Sequence, residues 1–567
     1  MQQTYNVFIA TFLSFLVIIG WNLLFDSSAH RDAPREATNK TKVKVYDSIE
    51  DSLKADRVIL SNGKLQGSIL LKGLVLDNLS LKEYKSDDGT DRYQLLRPVR
   101  TASAYSVNPG WSTGNDVELK TPDSNTQWKS DGTSLTPENP VTFFWDNGSG
   151  LLFKVLISID DKYMFTFKQT VENKSSNDLS VAPHFTITKQ SQDTQKSMLI
   201  MHEGPIGVIK DKLIELKYNK LVKKNKSLLI EEDPRNYSKW FGFSEKYWLV
   251  SQILRNPTEG KVYISHSLDN NNNDIFQVTT FHPHRIIRSG SSITQETELF
   301  AGPKELALLE EYSRSMKILF FDRAVDFGIL YVMTKPISRL LQIFYRVVGN
   351  FGVAIILLTL FIRLLMLPLS VKSGVSMVKI KELQPEILKI KKLYKDDKIA
   401  LNKASVALFK KYNVTPMSGC LPTILQVPVF FALYKVIFIT IEMRQAPFFL
   451  WIKDLSLPDP TNLFTLFGLL DWNCPTFLSI GILPILLGLT MIVQQNLTPS
   501  QYEDGTQAFM IKSMPYVFML LFANFPSGLV LYWVFNNILS VLQQFAIGRY
   551  LLSKHIKQNA SRAEKTS

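Results

Sequence analysis

The chain has 567 residues, enough for several domains, and its 64 Lys and Arg against 51 Asp and Glu leave a net charge of +13. A mean hydropathy of +0.01 is too high for an ordinary soluble protein and too low for one that is all membrane, and the basic balance points to nucleic acid or an anionic surface as partner. Two cysteines, Cys420 and Cys474, exclude a disulfide framework and a cysteine metal site, and with none near the N-terminus no lipid-anchored start is expected.

Residues 7–25, VFIATFLSFLVIIGWNLLF, run without a charge. No basic residue precedes them and no small-residue cleavage site follows, so they read as an uncleaved anchor rather than a signal peptide. Residues 26–57 are polar and aperiodic, a tether. From 58 to 302 the pattern becomes short β-type runs such as VTFFWDNGSGLLFKVLISI and YMFTFKQTV, separated by turn residues. Asp146-Asn147-Gly148 signals a hairpin, because Asn-Gly supplies the positive φ of a type I′ turn. The stretch predicts one large β-sandwich. His282-Pro283-His284 could share a strand face, but Pro283 argues against a central strand and no third ligand accompanies the pair. A loop or edge-strand pair is the expectation, with no metal, cofactor or catalytic site.

Residues 303–348 read as helical. Pro336 opens ISRLLQIFYRVV, with Pro tolerated in a first turn. Ile337, Leu340, Leu341, Phe344 and Val348 share one face, and Ser338, Arg339, Gln342 and Arg346 lie largely on another. That is the pattern of a helix lying at a membrane surface, or of one packed on the soluble domain.

Residues 349–370, GNFGVAIILLTLFIRLLMLPLS, are long enough to cross a bilayer yet contain Arg363. A guanidinium at membrane depth costs at least ~2.5 kcal/mol. Arg363 stands nine positions before Lys372, roughly 13 Å along a helix, so it either snorkels over that distance or faces a wet cavity. Residues 372–414 then carry eleven lysines against Glu382, Glu386, Asp396 and Asp397. Two helical patterns flank residues 395–398, giving a helical hairpin that is cytoplasmic by the positive-inside rule. It is either a solvated hairpin or a docking one.

Four more apolar segments follow, at 421–441, 477–494, 508–525 and 529–547, for six transmembrane helices in all. Their loops and the basic tail 551–567 place both termini in the cytoplasm and the sandwich outside. On that topology Cys420 and Cys474 sit near opposite faces and cannot bond. Lys435 falls in the outer half and is expected to snorkel outward. Arg363, Gln426, Gln494, Asn536, Asn537 and Gln543 fall near the midplane or in the cytoplasmic half, with Thr359 one turn from Arg363. Singly each amide is helix–helix glue; together with the arginine they read as the lining of a hydrated pocket.

Several stretches carry a family resemblance. VGNFGVAII precedes the arginine, LQPEILKIKKLYKDDK forms the hairpin, and GCLPTILQVPVFFALYKV the next span. RQAPFFLWIKDLSLPDP follows in the exterior loop and FPSGLVLYWVFNNILSVLQQ near the end. In this order they resemble the YidC-type membrane protein insertases, and the anchor and β-domain resemble the Gram-negative form. The resemblance implies an α-helical polytopic inner-membrane protein with a large periplasmic β-sandwich (58–302), periplasmic helices (303–348) and a five-helix insertase core (349–550). Arg363 then matches the groove arginine, and the substrate groove takes in Thr359, Gln426, Gln494, Tyr532, Trp533, Asn536 and Asn537. The implied partners are nascent membrane proteins, the Sec translocon, the lipid bilayer, and the ribosome or signal recognition machinery through the hairpin and tail. TNLFTLFGLLDWNCP (461–475) looks inserted, and Trp533 stands where the family has an aromatic beside Tyr532. A secondary transporter of organic anions is the alternative, disfavoured because six unequal spans show no repeat. A membrane-anchored sugar-binding sandwich would leave five spans unexplained.

Overall fold

The computed structural model describes residues 49–101, 103–113, 119–191, 201–209, 211–224, 228–230, 238–255, 260–269, 271–394, 397–412, 421–465, 479–497 and 505–563. The expected anchor (7–25), most of the tether, both cysteines and most of the stretch 461–475 lie outside them. The chain divides into two compact units. Of the described residues, one comprises those to 339 with 432–446, the other those in 340–431 and from 447 on.

The first unit is a β-sandwich of an eleven-stranded and a nine-stranded sheet. Strand Leu151–Ile159 shows why: every second residue from Leu151 to Ile159 is buried, the period of a strand with one face in the core. Facing rings interlock between the sheets, with Trp111 against Phe153 at 5.1 Å and Phe167 against Phe185 at 5.0 Å. The nine-stranded sheet is covered on its other side too, so Trp248–Leu254 is buried throughout. Its cover is helix α1 (Leu306–Ser315) and the turn Phe321–Ala324, which place Tyr312 and Phe321 against Phe300 at 5.8 and 5.3 Å.

The hairpin at Asp146 forms, pairing Val141–Asp146 with Leu151–Ile159, but not through a two-residue type I′ turn. The loop is longer, with positive φ at Gly148 and Gly150. The Asn147 carboxamide oxygen accepts from the amides of Ser149 and Leu151 at 2.8 and 3.0 Å, so the side chain and the left-handed glycines together turn the chain. Residues 282–284 connect two strands, with His282 buried.

Helix α2 (Tyr331–Val348) starts one and a half turns before Pro336, which therefore sits inside the helix rather than at its start. The carbonyl that the proline leaves unpaired belongs to Val332, 82% exposed, where water can reach it. Ser338 is buried beside Ile337 and Leu341, against the expected polar face. Lys335 bridges Glu310 of α1 and Asp322 at 2.8 and 2.7 Å, and Arg339 also reaches Glu310, at 2.8 Å.

The second unit is helical. α3 (Phe351–Glu382) runs 32 residues, about 48 Å, because lysine-rich sequence after the apolar span continues the helix instead of breaking it. α4 (Gln384–Leu393) and α5 (Lys398–Lys411) make the hairpin; the Asp397 carboxylate caps α5, accepting from Ile399 and Ala400 at 3.0 and 2.9 Å. α6 (Leu421–Ile439), α7 (Ile482–Leu497), α8 (Gly505–Phe522) and α9 (Ser527–Ala563) follow. Among the described residues Phe351–Ser376 and Ser527–Arg549 are long and apolar enough to cross a bilayer, while Leu425–Ile439, Ile482–Leu497 and Ile511–Phe522 are apolar but shorter. The tail, expected as a separate basic segment from 551, continues α9 to Ala563.

Candidate functional site

Two helical stripes build the site. On α3 Leu360, Arg363, Leu364, Leu367, Val371 and Val375 recur every three or four residues, and on α9 Leu539, Gln543, Ala546 and Ile547 do the same; together they line an open groove of about 530 Å³. Arg363 and Gln543 are its polar walls, and the rest is hydrocarbon.

Arg363 does not extend along its helix toward an interface. Its Nε donates to the Asn536 side-chain oxygen at 2.8 Å, and one terminal nitrogen donates to the Asn536 carbonyl at 3.0 Å and to the Ser540 hydroxyl. Ser540 in turn donates to that same carbonyl at 2.8 Å. These partners are neutral. Among the described residues no carboxylate pairs with Arg363, so hydrogen bonding fixes the guanidinium and leaves its charge unneutralised.

The other expected residues tie helices together. About 100° separates successive side chains on a helix, so adjacent residues of α9 reach different neighbours. Tyr532, 2% exposed, accepts from Gln426 of α6 at 3.1 Å. Trp533 packs on Phe430 of α6 at 4.7 Å and on Phe522 and Phe518 of α8 at 5.2 and 5.8 Å. Asn537 donates to Thr490 of α7 at 3.2 Å, and Gln494 lies one turn beyond Thr490, half-buried. Thr359 is 1% exposed and donates to the Ile355 carbonyl of its own helix at 2.7 Å. Of the residues expected to share one pocket, Arg363 and Gln543 line the groove. Asn536 supports Arg363 from behind, and the rest hold the bundle around α9.

Ser540 was not singled out from sequence. Its signal was the spacing: Asn536, Ser540 and Gln543 form one stripe of α9 at intervals of four and three.

The loop between α6 and α7 is organised by Asp459. One carboxylate oxygen accepts from the Thr461 amide and hydroxyl and the Trp451 indole at 3.0, 2.7 and 3.1 Å, and the other from the Leu483 amide in the first turn of α7 at 2.8 Å. A carboxylate at a helix N-terminus meets unsatisfied amides and the positive end of the dipole.

Residues 57–340 match the YidC periplasmic domain family, and residues 343–554 match the 60Kd inner membrane protein family. The chain is 41% identical over 562 residues to the membrane protein insertase YidC of Rickettsia prowazekii (strain Madrid E), across 96% of this chain and 99% of the relative. It is likewise 41% identical over 559 residues to that of Rickettsia bellii (strain OSU 85-389), across 96% and 98%. A solved structure of an active YidC insertase with its first transmembrane domain resolved aligns over 94% of this chain and 98% of that one, at 15% identity and a TM-score of 0.35.

Proposed function

The chain belongs to the YidC family of membrane protein insertases, and from that premise we propose that the groove between α3 and α9 receives the polar segment of a nascent membrane protein. The family's clients are membrane proteins, its medium the inner membrane, and its β-rich domain periplasmic. No bond is made or broken, so the site needs charge, access and a short apolar path rather than a nucleophile.

The observation that carries this reading is the unneutralised Arg363 in a groove that is hydrocarbon apart from Gln543. A client carboxylate about 8 Å from it would gain about 2 kcal/mol at an effective dielectric constant near 20. Asn536 and Ser540 hold the charge in place without cancelling it. Hydrocarbon on the remaining walls lets the client's apolar segment leave sideways into lipid.

In this reading the termini are cytoplasmic. The α4–α5 hairpin and the basic end of α9 meet the ribosome or signal recognition machinery by lysine–phosphate contacts whose strength falls steeply with salt, and the protein works alone or with the Sec translocon. The test is insertion of one small client, with its tail carboxylates present or neutralised, into vesicles containing wild type, Arg363→Ala or Arg363→Glu at matched levels. The acidic client should insert on the order of tenfold less well with Arg363→Ala, and worse with Arg363→Glu through like-charge repulsion. The neutralised client should be nearly indifferent. Equal insertion of the acidic client by wild type and Arg363→Glu would remove the electrostatic groove.

A further inference from the structure

Residues 446–452, APFFLWI, form seven uncharged positions between Arg444 and Lys453. The chain turns sharply within them: the Phe448 amide donates to the Ile452 carbonyl at 3.0 Å, and the Ile452 amide to the Phe449 carbonyl at 3.3 Å. The turn sorts its side chains. Ile452 is buried, whereas Phe449 is 56% and Leu450 88% exposed. Leu450 also has φ +58°, a left-handed conformation that a branched aliphatic residue adopts only at a cost glycine would avoid. Strained backbone thus presents two large apolar side chains outward.

Where this tip stands follows from Phe448. Its ring fills the space beside Gly352, lying 2.0 Å from where a Cβ would sit. Gly352 is the second residue of α3, so the turn is fastened to the end of a membrane-crossing helix. In sequence that end comes shortly after the stretch matching the periplasmic domain, which finishes at residue 340. Three positions after Phe448, Trp451 is held by its indole N–H on Asp459, so the tip is supported from behind.

We propose that Phe449 and Leu450 form a membrane peg that enters the headgroup–acyl boundary of the outer leaflet and sets the depth at which α3 begins. The occupant is lipid rather than a protein partner for two reasons. The tip carries no charge or hydrogen-bonding side chain to give a protein partner register. It is also fastened, through Phe448 against Gly352, to the first turn of a segment long and apolar enough to cross a bilayer. Aromatic residues beside a basic one, here Lys453, are the composition expected at that boundary. The proposal rests on the family's placement in the membrane and is independent of the groove.

The test uses the unmodified full-length chain in lipid nanodiscs, with hydroxyl-radical footprinting read residue by residue. Ile286 of the sandwich, 71% exposed, is the internal standard. Leu450 should be oxidised several-fold less than Ile286 although the protein itself leaves it more open, and oxidation at least equal to that of Ile286 overturns the peg. A second arm places a bimane dye at Leu450→Cys in a Cys420→Ser, Cys474→Ser background. Nitroxide lipids labelled just below the headgroup should quench it more than lipids labelled at the chain end. Protection from radicals without quenching by either lipid would mean that protein covers the tip, and would equally overturn the proposal.

Discussion

Lys435 of α6 donates to the main-chain carbonyl of Asp326 at 2.9 Å and stands 3.4 Å from its carboxylate. A lysine in the outer half of an apolar helix was expected to snorkel outward; its ammonium ends on a partner in the connection between α1 and α2. The other carboxylate oxygen accepts from the His202 amide at 2.9 Å, so one aspartate joins the loop before strand Gly204–Ile209 to α6.

That pairing is the first prediction. Both side chains are largely buried, 16% and 18% exposed, so removing one charge strands the other. Lys435→Met should destabilise the unit by about 1–3 kcal/mol, and adding Asp326→Asn should recover part of the loss. A double-mutant cycle on thermal unfolding reads the coupling, and strict additivity would show that the two do not interact.

The second prediction concerns acid. Burial holds His202 and His282 down to about 4, and His184 likewise. A depressed histidine pKa means the unfolded chain takes up protons first, so stability is complete above pH 6.5 and drains away as pH falls toward 4. His202 and His282, 5% and 8% exposed, should each account for about 3 kcal/mol once fully protonated. Denaturant unfolding followed by the sandwich's near-ultraviolet dichroism should show this slope, and His282→Gln should remove its share of it. A flat profile between pH 6.5 and 4 would refute the assignment.

The third prediction is at Asp459. Asp459→Asn keeps one acceptor oxygen but turns an NH2 toward the Leu483 amide, or the reverse, so one buried donor loses its partner. We expect a loss of about 1–3 kcal/mol. Gly481→Ala attacks the same contact from the other side, since a Cβ there would meet the Asp459 carboxylate carbon at 2.5 Å. The two losses, measured by thermal unfolding, should be markedly less than additive, because either change already displaces the carboxylate from α7.

Apolar length and charge bias made the helical half and the hairpin legible, and alternation made the sandwich legible. Extents were less so. Where α3 ends depends on lysine, which favours helix as readily as solvent, so the boundary at 372 marks a change of environment rather than of conformation. Polar residues in apolar helices were also recognisable, but not their partners. Asn536 and Asn537 are neighbours in sequence and so were read as one lining, yet a helical step sends one to Arg363 and the other to Thr490. Periodicity identifies a face; only packing chooses which helix the face meets. Trp248–Leu254 taught the same lesson among strands, since its continuous apolar run required a cover that lies some fifty residues downstream.

Strand Ser292–Pro303 lies in the middle of the nine-stranded sheet, paired with Met164–Asn173 on one side and Trp248–Leu254 on the other. It is also the last strand of the domain to be synthesised. Until it arrives, the sheet is two fragments with open edges, and the loop joining them must close over a long sequence separation, a slow step that exposes unpaired strands. The emerging chain thus has a built-in order of assembly. The domain can lock only when its final strand has crossed, immediately before α2 and α3 follow, so completion of the sandwich reports that the preceding segment has been delivered in full.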